Sequence, residues 1–126
     1  MSTKVKIAII EDDMAIVQMY RMKFESEGYD VQTAADGLAG LELIESFEPD
    51  AVLLDLMMPN MNGMEMLSKL RSGAGGRDVK VIVLTNMGDT ETATKVYKMA
   101  ADDYIVKAEM TPLQVTERVR VLLAKK

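Results

Sequence analysis

Ile7-Ala8-Ile9-Ile10-Glu11-Asp12-Asp13 and Ala51-Val52-Leu53-Leu54-Asp55 decide the fold, because each is an apolar run that stops at a carboxylate. Two more segments end the same way: Val81-Ile82-Val83-Leu84 at Thr85, and Tyr104-Ile105-Val106 at Lys107. Short apolar runs with no polar alternation predict parallel strands buried on both faces. Each polar group then sits at the C-terminal end of a strand. In open α/β sheets that edge is where ligands bind. The acids, the hydroxyl and the lysine are therefore expected to converge on one site.

Outward from these runs, strand and helix patterns alternate along the whole chain. The predicted strands are Val5–Ile10, Tyr29–Ala34, Ala51–Leu54, Lys80–Leu84 and Asp103–Val106. Between them, Ile16, Tyr20 and Phe24 repeat at helical spacing, and Leu38, Leu41, Ile44 and Phe47 step by three. Thr111-Pro112-Leu113-Gln114 is a capping box with proline in the first turn, opening a helix expected to bury Val115, Val119 and Leu122. Asp13 is positioned to cap the first helix. Gly28, Gly37, Gly63 and Gly88 punctuate the turns, and Ser72 to Asp78 reads as a connecting loop. Repeated βα units require a parallel sheet with helices on both faces. The expectation is one α/β domain over residues 1–126.

Composition narrows the function. With 126 residues there is enough chain for one core. A net charge of -5 predicts no direct nucleic-acid surface, since no basic stripe is available to neutralise phosphates. The chain has no cysteine, which is compatible with the reducing cytoplasm. It has no histidine either, which excludes imidazole bases, imidazole metal ligands and phosphohistidine on this chain. Neither a signal peptide nor a membrane span is expected. The initial methionine and the capped final helix suggest a stand-alone domain.

Glu11, Asp12 and Asp55 at adjacent strand ends would repel one another by about 4 kcal/mol per pair at 4 Å and an effective dielectric near 20. Such a cluster must take up protons, cations or a lysine. A hard divalent ion with oxygen ligands suits it, Mg2+ above all and Mn2+ as a substitute. Lys107 offers a compact positive charge for a phosphoryl oxygen, and Thr85 a hydroxyl. A carboxylate nucleophile, a metal and a lysine are what phosphoryl transfer to an aspartate requires.

These residues resemble the receiver domain of two-component response regulators, in particular the single-domain chemotaxis-regulator type. The resemblance rests on Glu11-Asp12, the block Asp55-Leu56-Met57-Met58-Pro59-Asn60-Met61-Asn62-Gly63, Leu84-Thr85, and Ala101-Asp102-Asp103-Tyr104-Ile105-Val106-Lys107. It implies a flavodoxin-like, doubly wound, five-stranded parallel sheet of order 2-1-3-4-5 with five helices. It implies that Asp55 is phosphorylated, and that Mg2+ is held by Asp12, Asp55 and the Met57 carbonyl, with Glu11 acting through water. Lys107 would bind the phosphoryl group, while Thr85 and Tyr104 would turn inward as a switch. The implied role is a phosphorylation-activated signalling switch, not a conventional enzyme. A sensor histidine kinase or phosphotransfer protein would dock on the first helix. The surface of the fourth helix, fifth strand and fifth helix would read out the change to a downstream target. The competing reading is a degenerate receiver acting by protein contact alone. A haloacid-dehalogenase-type phosphatase would need a second aspartate at position 57, where Met57 stands. A flavin-binding module would need aromatic residues and a phosphate loop that the chain lacks.

Four residues depart from the commonest family pattern. Glu11 adds a methylene over aspartate. Asn86 follows Thr85 where a smaller residue is usual and is expected to narrow access to Asp55. Ala100 replaces glycine, which is innocuous if the turn there is right-handed. Ala108 replaces a proline that follows a cis bond, and because cis before alanine costs about 2.5–4 kcal/mol, a trans bond and a rearranged loop are expected. Methionine is abundant, with 12 in total. Most are expected to be adaptable core and loop filling, and Met57 and Met87 to slow loss of the phosphoryl group.

Overall fold

The computed structural model describes residues 4–56, 58, 61–73, 79–86, 90–98 and 100–124. Met57, Pro59, Asn60, Met87 and Gly88, which carry several of the expectations above, lie outside the described residues, as does most of the 72–78 loop. The elements run β1 (Lys6–Ile10), α1 (Met14–Ser26), β2 (Asp30–Ala34), α2 (Gly37–Phe47), β3 (Ala51–Asp55), α3 (Gly63–Ser72), β4 (Lys80–Thr85), α4 (Thr90–Lys98), β5 (Asp103–Val106) and α5 (Pro112–Ala124). All strand pairings are parallel, and the order across the sheet is β2-β1-β3-β4-β5.

The three inner strands are the continuous apolar runs, because helices cover both of their faces. Edge strand β2 alternates exposed Asp30 and Gln32 around buried Val31. Period-two alternation sorts the strand side chains into two cores. Ile7, Ile9, Leu53, Ile82, Leu84 and Ile105 meet Tyr20 and Phe24 of α1 and Val115, Val119 and Leu122 of α5. Ala8, Ile10, Val52, Leu54, Val81 and Val83 meet Ile44 of α2, Met66, Leu67 and Leu70 of α3, and Val96 of α4. Each fully buried large side chain in these layers contributes roughly 1.5–3 kcal/mol.

The helix α2 corrects one expectation. Its buried residues are Gly37, Gly40, Ile44 and Phe47, whereas Leu38 is 55% exposed. Three residues turn a helix through about 300°, so a row stepping by three slips about 60° each time and cannot stay on one face. The buried face instead runs through Gly40, where a Cβ would stand 2.8 Å from Ile10 Cγ2.

Helix ends follow the local chemistry. Asp13 accepts the Ala15 and Ile16 N–H groups, and Thr111 and Gln114 exchange the two bonds of the capping box. The end of α1 is a Schellman motif: Gly28 N–H donates to Glu25 and Tyr29 N–H to Phe24, with Gly28 at φ 91°. The end of α4 has the same bonds, Ala100 N–H to Tyr97 and Ala101 N–H to Val96, but the left-handed residue is Ala100 at φ 67°. The condition under which Ala100 would be innocuous, a right-handed turn, is therefore not met, because the motif requires a left-handed residue at that point.

Candidate functional site

Strand register assembles the site. Glu11 follows β1 in phase with Ile7 and Ile9, Asp55 ends β3 in phase with Leu53, and Lys107 follows β5 in phase with Ile105. The alternation thus directs all three toward the face covered by α1 and α5. Glu11 stays in line through a bond from its N–H to the Ala34 carbonyl. The acidic triplet is divided by what comes next: Glu11 is buried, Asp12 is exposed at the rim, and Asp13 is committed to capping α1.

After Asp55 the chain bends sharply. Leu56 N–H donates to the Leu84 carbonyl, and Gly63 N–H returns to the Leu56 carbonyl. Gly63 starts α3 so close to the end of β3 that a Cβ there would lie 2.4 Å from the Asp55 carbonyl oxygen. Asn62 caps α3 by accepting the Glu65 N–H at 2.9 Å.

Glu11 and Asp55 are 1% and 4% exposed, and the Lys107 side chain lies between them. Its Nζ is 2.5 Å from Glu11 Oε1 and 3.4 Å from Asp55 Oδ1. One carboxylate oxygen from each of Glu11, Asp12 and Asp55 falls within 4.8 Å of the others. Burial, and then hydrogen bonding to Asp55, raise the Glu11 carboxyl to about 8, although Lys107 pulls it down. Burial alone would lower the Lys107 ammonium, but its bonds and charge contacts with Glu11 and Asp55 outweigh that and hold it above the usual lysine value. Three carboxyl groups against one ammonium leave negative charge uncompensated. The donors are all hard oxygens, so the residues present fit a divalent cation of the Mg2+ or Mn2+ kind.

Thr85 ends β4, buried at 2% exposure. Its register partner is Val106, and Val83 pairs with Tyr104, so Thr85 and Tyr104 belong to the opposite face of the sheet from the charged trio. Tyr104 is half-buried, and its ring is 6.5 Å from that of Tyr97 on α4. The Lys107-Ala108 bond is trans, as expected, there being no cis peptide among the described residues. The chain continues from there as a 3-10 turn over Lys107–Glu109. Asn86 is exposed immediately after β4.

Two arginines near these elements had no signal in the sequence. Arg71 donates to the carbonyls of Val79 and Ala100 and to Asp102 Oδ2, and the same Asp102 oxygen accepts Val81 N–H. Arg118 grips Asp103 through two bonds of 2.8 and 2.7 Å. Partners 31 and 15 residues away leave no local pattern to read.

The profile of the response regulator receiver domain matches residues 7–120, and the chain belongs to that family. It is 38% identical over 121 residues to the DNA-binding dual master transcriptional regulator RpaA of Synechocystis sp., covering 94% of this chain and 48% of that protein. It is 35% identical over 118 residues to the DNA-binding response regulator MtrA of Mycolicibacterium paratuberculosis, covering 94% and 51%. A CheY-like receiver domain structure from Methanospirillum hungatei superposes with a TM-score of 0.87 at 31% identity, covering 96% of this chain and 94% of that one. The five-stranded order and the flavodoxin-like class expected from the sequence are thereby established.

The chain spans about half the length of the curated relatives it matches. Their names overturn the expectation of a protein without direct dealings with nucleic acid. The charge of -5 describes the surface of these residues only, and says nothing of partners engaged through other parts of such a regulator. Among the described residues, no helix is long and apolar enough to cross a membrane.

Proposed function

We propose that the chain is a phosphorylation-activated switch that accepts a phosphoryl group on Asp55. The observation that carries this reading is a buried carboxylate at the end of the central strand β3, with an ammonium 3.4 Å away and two further acids within 4.8 Å. Asp12 and Asp55 would hold Mg2+ directly and Glu11 would act through water, while the Met57 carbonyl expected as a further ligand lies outside the described residues. Bound there, the ion supplies positive charge against the oxygens of the transferring group.

An Asp55 carboxylate oxygen attacks phosphorus as the bond to the donor's histidine nitrogen or acyl oxygen breaks. Lys107 holds one phosphoryl oxygen. The burial of Glu11 and Asp55 limits access of water to the product. Thr85 and Tyr104, on one face of neighbouring strands, turn inward together once the phosphoryl group is present. The α4-β5-α5 surface changes with them, which is a two-state shift biased by one local charge. The donor is a sensor histidine kinase or phosphotransfer protein, the setting is the cytoplasm, and relatives named as transcriptional regulators favour control of transcription as the output.

The test is intact mass after incubation with acetyl phosphate, with and without Mg2+, for wild type and Asp55→Asn. A gain of one phosphoryl group that needs both Mg2+ and Asp55 is expected. A gain that persists in Asp55→Asn overturns the assignment.

A further inference from the structure

Gly37, the first residue of α2, lies against the end of the segment that follows Asp55. A Cβ there would stand 2.6 Å from the Met61 carbonyl oxygen and 2.9 Å from Met61 Cβ. Ordinary contact between such atoms is at about 3.5–4.0 Å. Among the described residues Gly28 is the only glycine in the left-handed region, so backbone conformation does not call for glycine at position 37. Closeness does. The helix itself is fixed on the sheet: Gly40 is seated on Ile10, and Ile44 and Phe47 are buried further along. A side chain at position 37 would therefore displace Met61, which is half-buried against the same core.

The displacement has a short route to the phosphoacceptor. Asn62 caps α3, and Gly63 N–H donates to the Leu56 carbonyl at 3.0 Å. Gly63 also approaches the Asp55 carbonyl so closely that a Cβ would lie 2.4 Å from its oxygen. A push on Met61 thus reaches the Asp55 peptide through Gly63. The Asp55 carboxylate is one of the three oxygen donors gathered within 4.8 Å. Mg2+ demands near-ideal octahedral geometry at about 2.0–2.1 Å, whereas Ca2+ accepts flexible arrangements at about 2.3–2.6 Å. A small shift of one donor penalises the smaller ion more.

We propose that Gly37 is a positioning residue that sets the preference of the acidic site for Mg2+ over larger divalent cations. The first turn of α2 is the rest on which the end of the β3–α3 connection sits, and it holds Asp55 to the tighter geometry. This deepens the reading above and takes its metal site as premise.

The experiment titrates the full chain with Mg2+ and with Ca2+, following amide signals by NMR, in wild type, Gly37→Ala and Gly28→Ala. The last controls for lost stability at a helix end remote from the site. Gly37→Ala is expected to weaken Mg2+ binding about tenfold and Ca2+ binding less than about twofold. Gly28→Ala is expected to leave both unchanged. If Gly37→Ala does not fold, Met61→Gly removes the side chain resting on α2 and is expected to lower the Mg2+ to Ca2+ preference in the same sense. A preference unchanged in the position-37 or position-61 variant, or lowered equally in Gly28→Ala, overturns this inference alone. Wild-type Mg2+ binding that is absent, or indifferent to Asp55→Asn, overturns the metal site and this inference with it.

Discussion

Replacing Ala100 by glycine should stabilise this protein. Ala100 closes the Schellman motif of α4 at φ 67°, a region that costs an L-residue about 1–2 kcal/mol. The conformation is enforced from three sides. Ala100 N–H is bound to Tyr97, Ala101 N–H is bound to Val96, and the Ala100 carbonyl accepts Arg71 Nε at 3.0 Å. Glycine removes the steric cost, while its greater freedom in the unfolded chain returns about 0.5–1 kcal/mol of it. The net gain is about 0.5–1 kcal/mol, or about 2–4 °C in Tm for a domain of this size. The assay is thermal and urea unfolding followed by circular dichroism. Gly28→Ala is the matched control, since Gly28 has φ 91° and open space where a Cβ would go, leaving only the backbone term. It should lose about 1 kcal/mol. An Ala100→Gly variant no more stable than wild type, beside a destabilised Gly28→Ala, would refute the reasoning.

Other consequences are as definite. Gly63→Ala forces a Cβ against the Asp55 carbonyl oxygen and the Leu56 Cα, both backbone atoms; expect a loss of about 1–3 kcal/mol in urea unfolding and slower labelling by acetyl phosphate. The divided acidic triplet predicts opposite phenotypes: Asp13→Ala should cost about 1 kcal/mol of stability yet keep Mg2+-dependent labelling, whereas Asp12→Ala should lose the labelling. Comparable labelling in both would contradict the division. Glu11 is raised from 4.5 to about 8 by burial and by Asp55, so without metal the folded protein keeps a proton that the unfolded chain has released. Its contribution to stability is complete below 4.5 and is lost as pH rises through about 8. Urea midpoints in EDTA should fall across that window, and less so with Mg2+, which favours the ionised form. A slope unchanged in Glu11→Gln would assign it to other groups.

The sequence by itself determined the layered fold and the composition of the site. Strands buried on both faces have to be written as unbroken apolar runs, so β1, β3 and β4 announced themselves, and the polar residue ending each was legible at once. Caps are local chemistry, and Asp13 and Thr111 with Gln114 read directly. Contacts between distant segments carry no such signature. How Lys107 comes to lie between Glu11 and Asp55, how α2 seats on Ile10 through Gly40, and the arginine ties to Asp102 and Asp103 follow from register and helix rotation. The handedness at Ala100 belongs with them, because alanine prefers the right-handed region. There only the closing bonds of α4 and the grip of Arg71 hold the backbone where its own propensity would not take it.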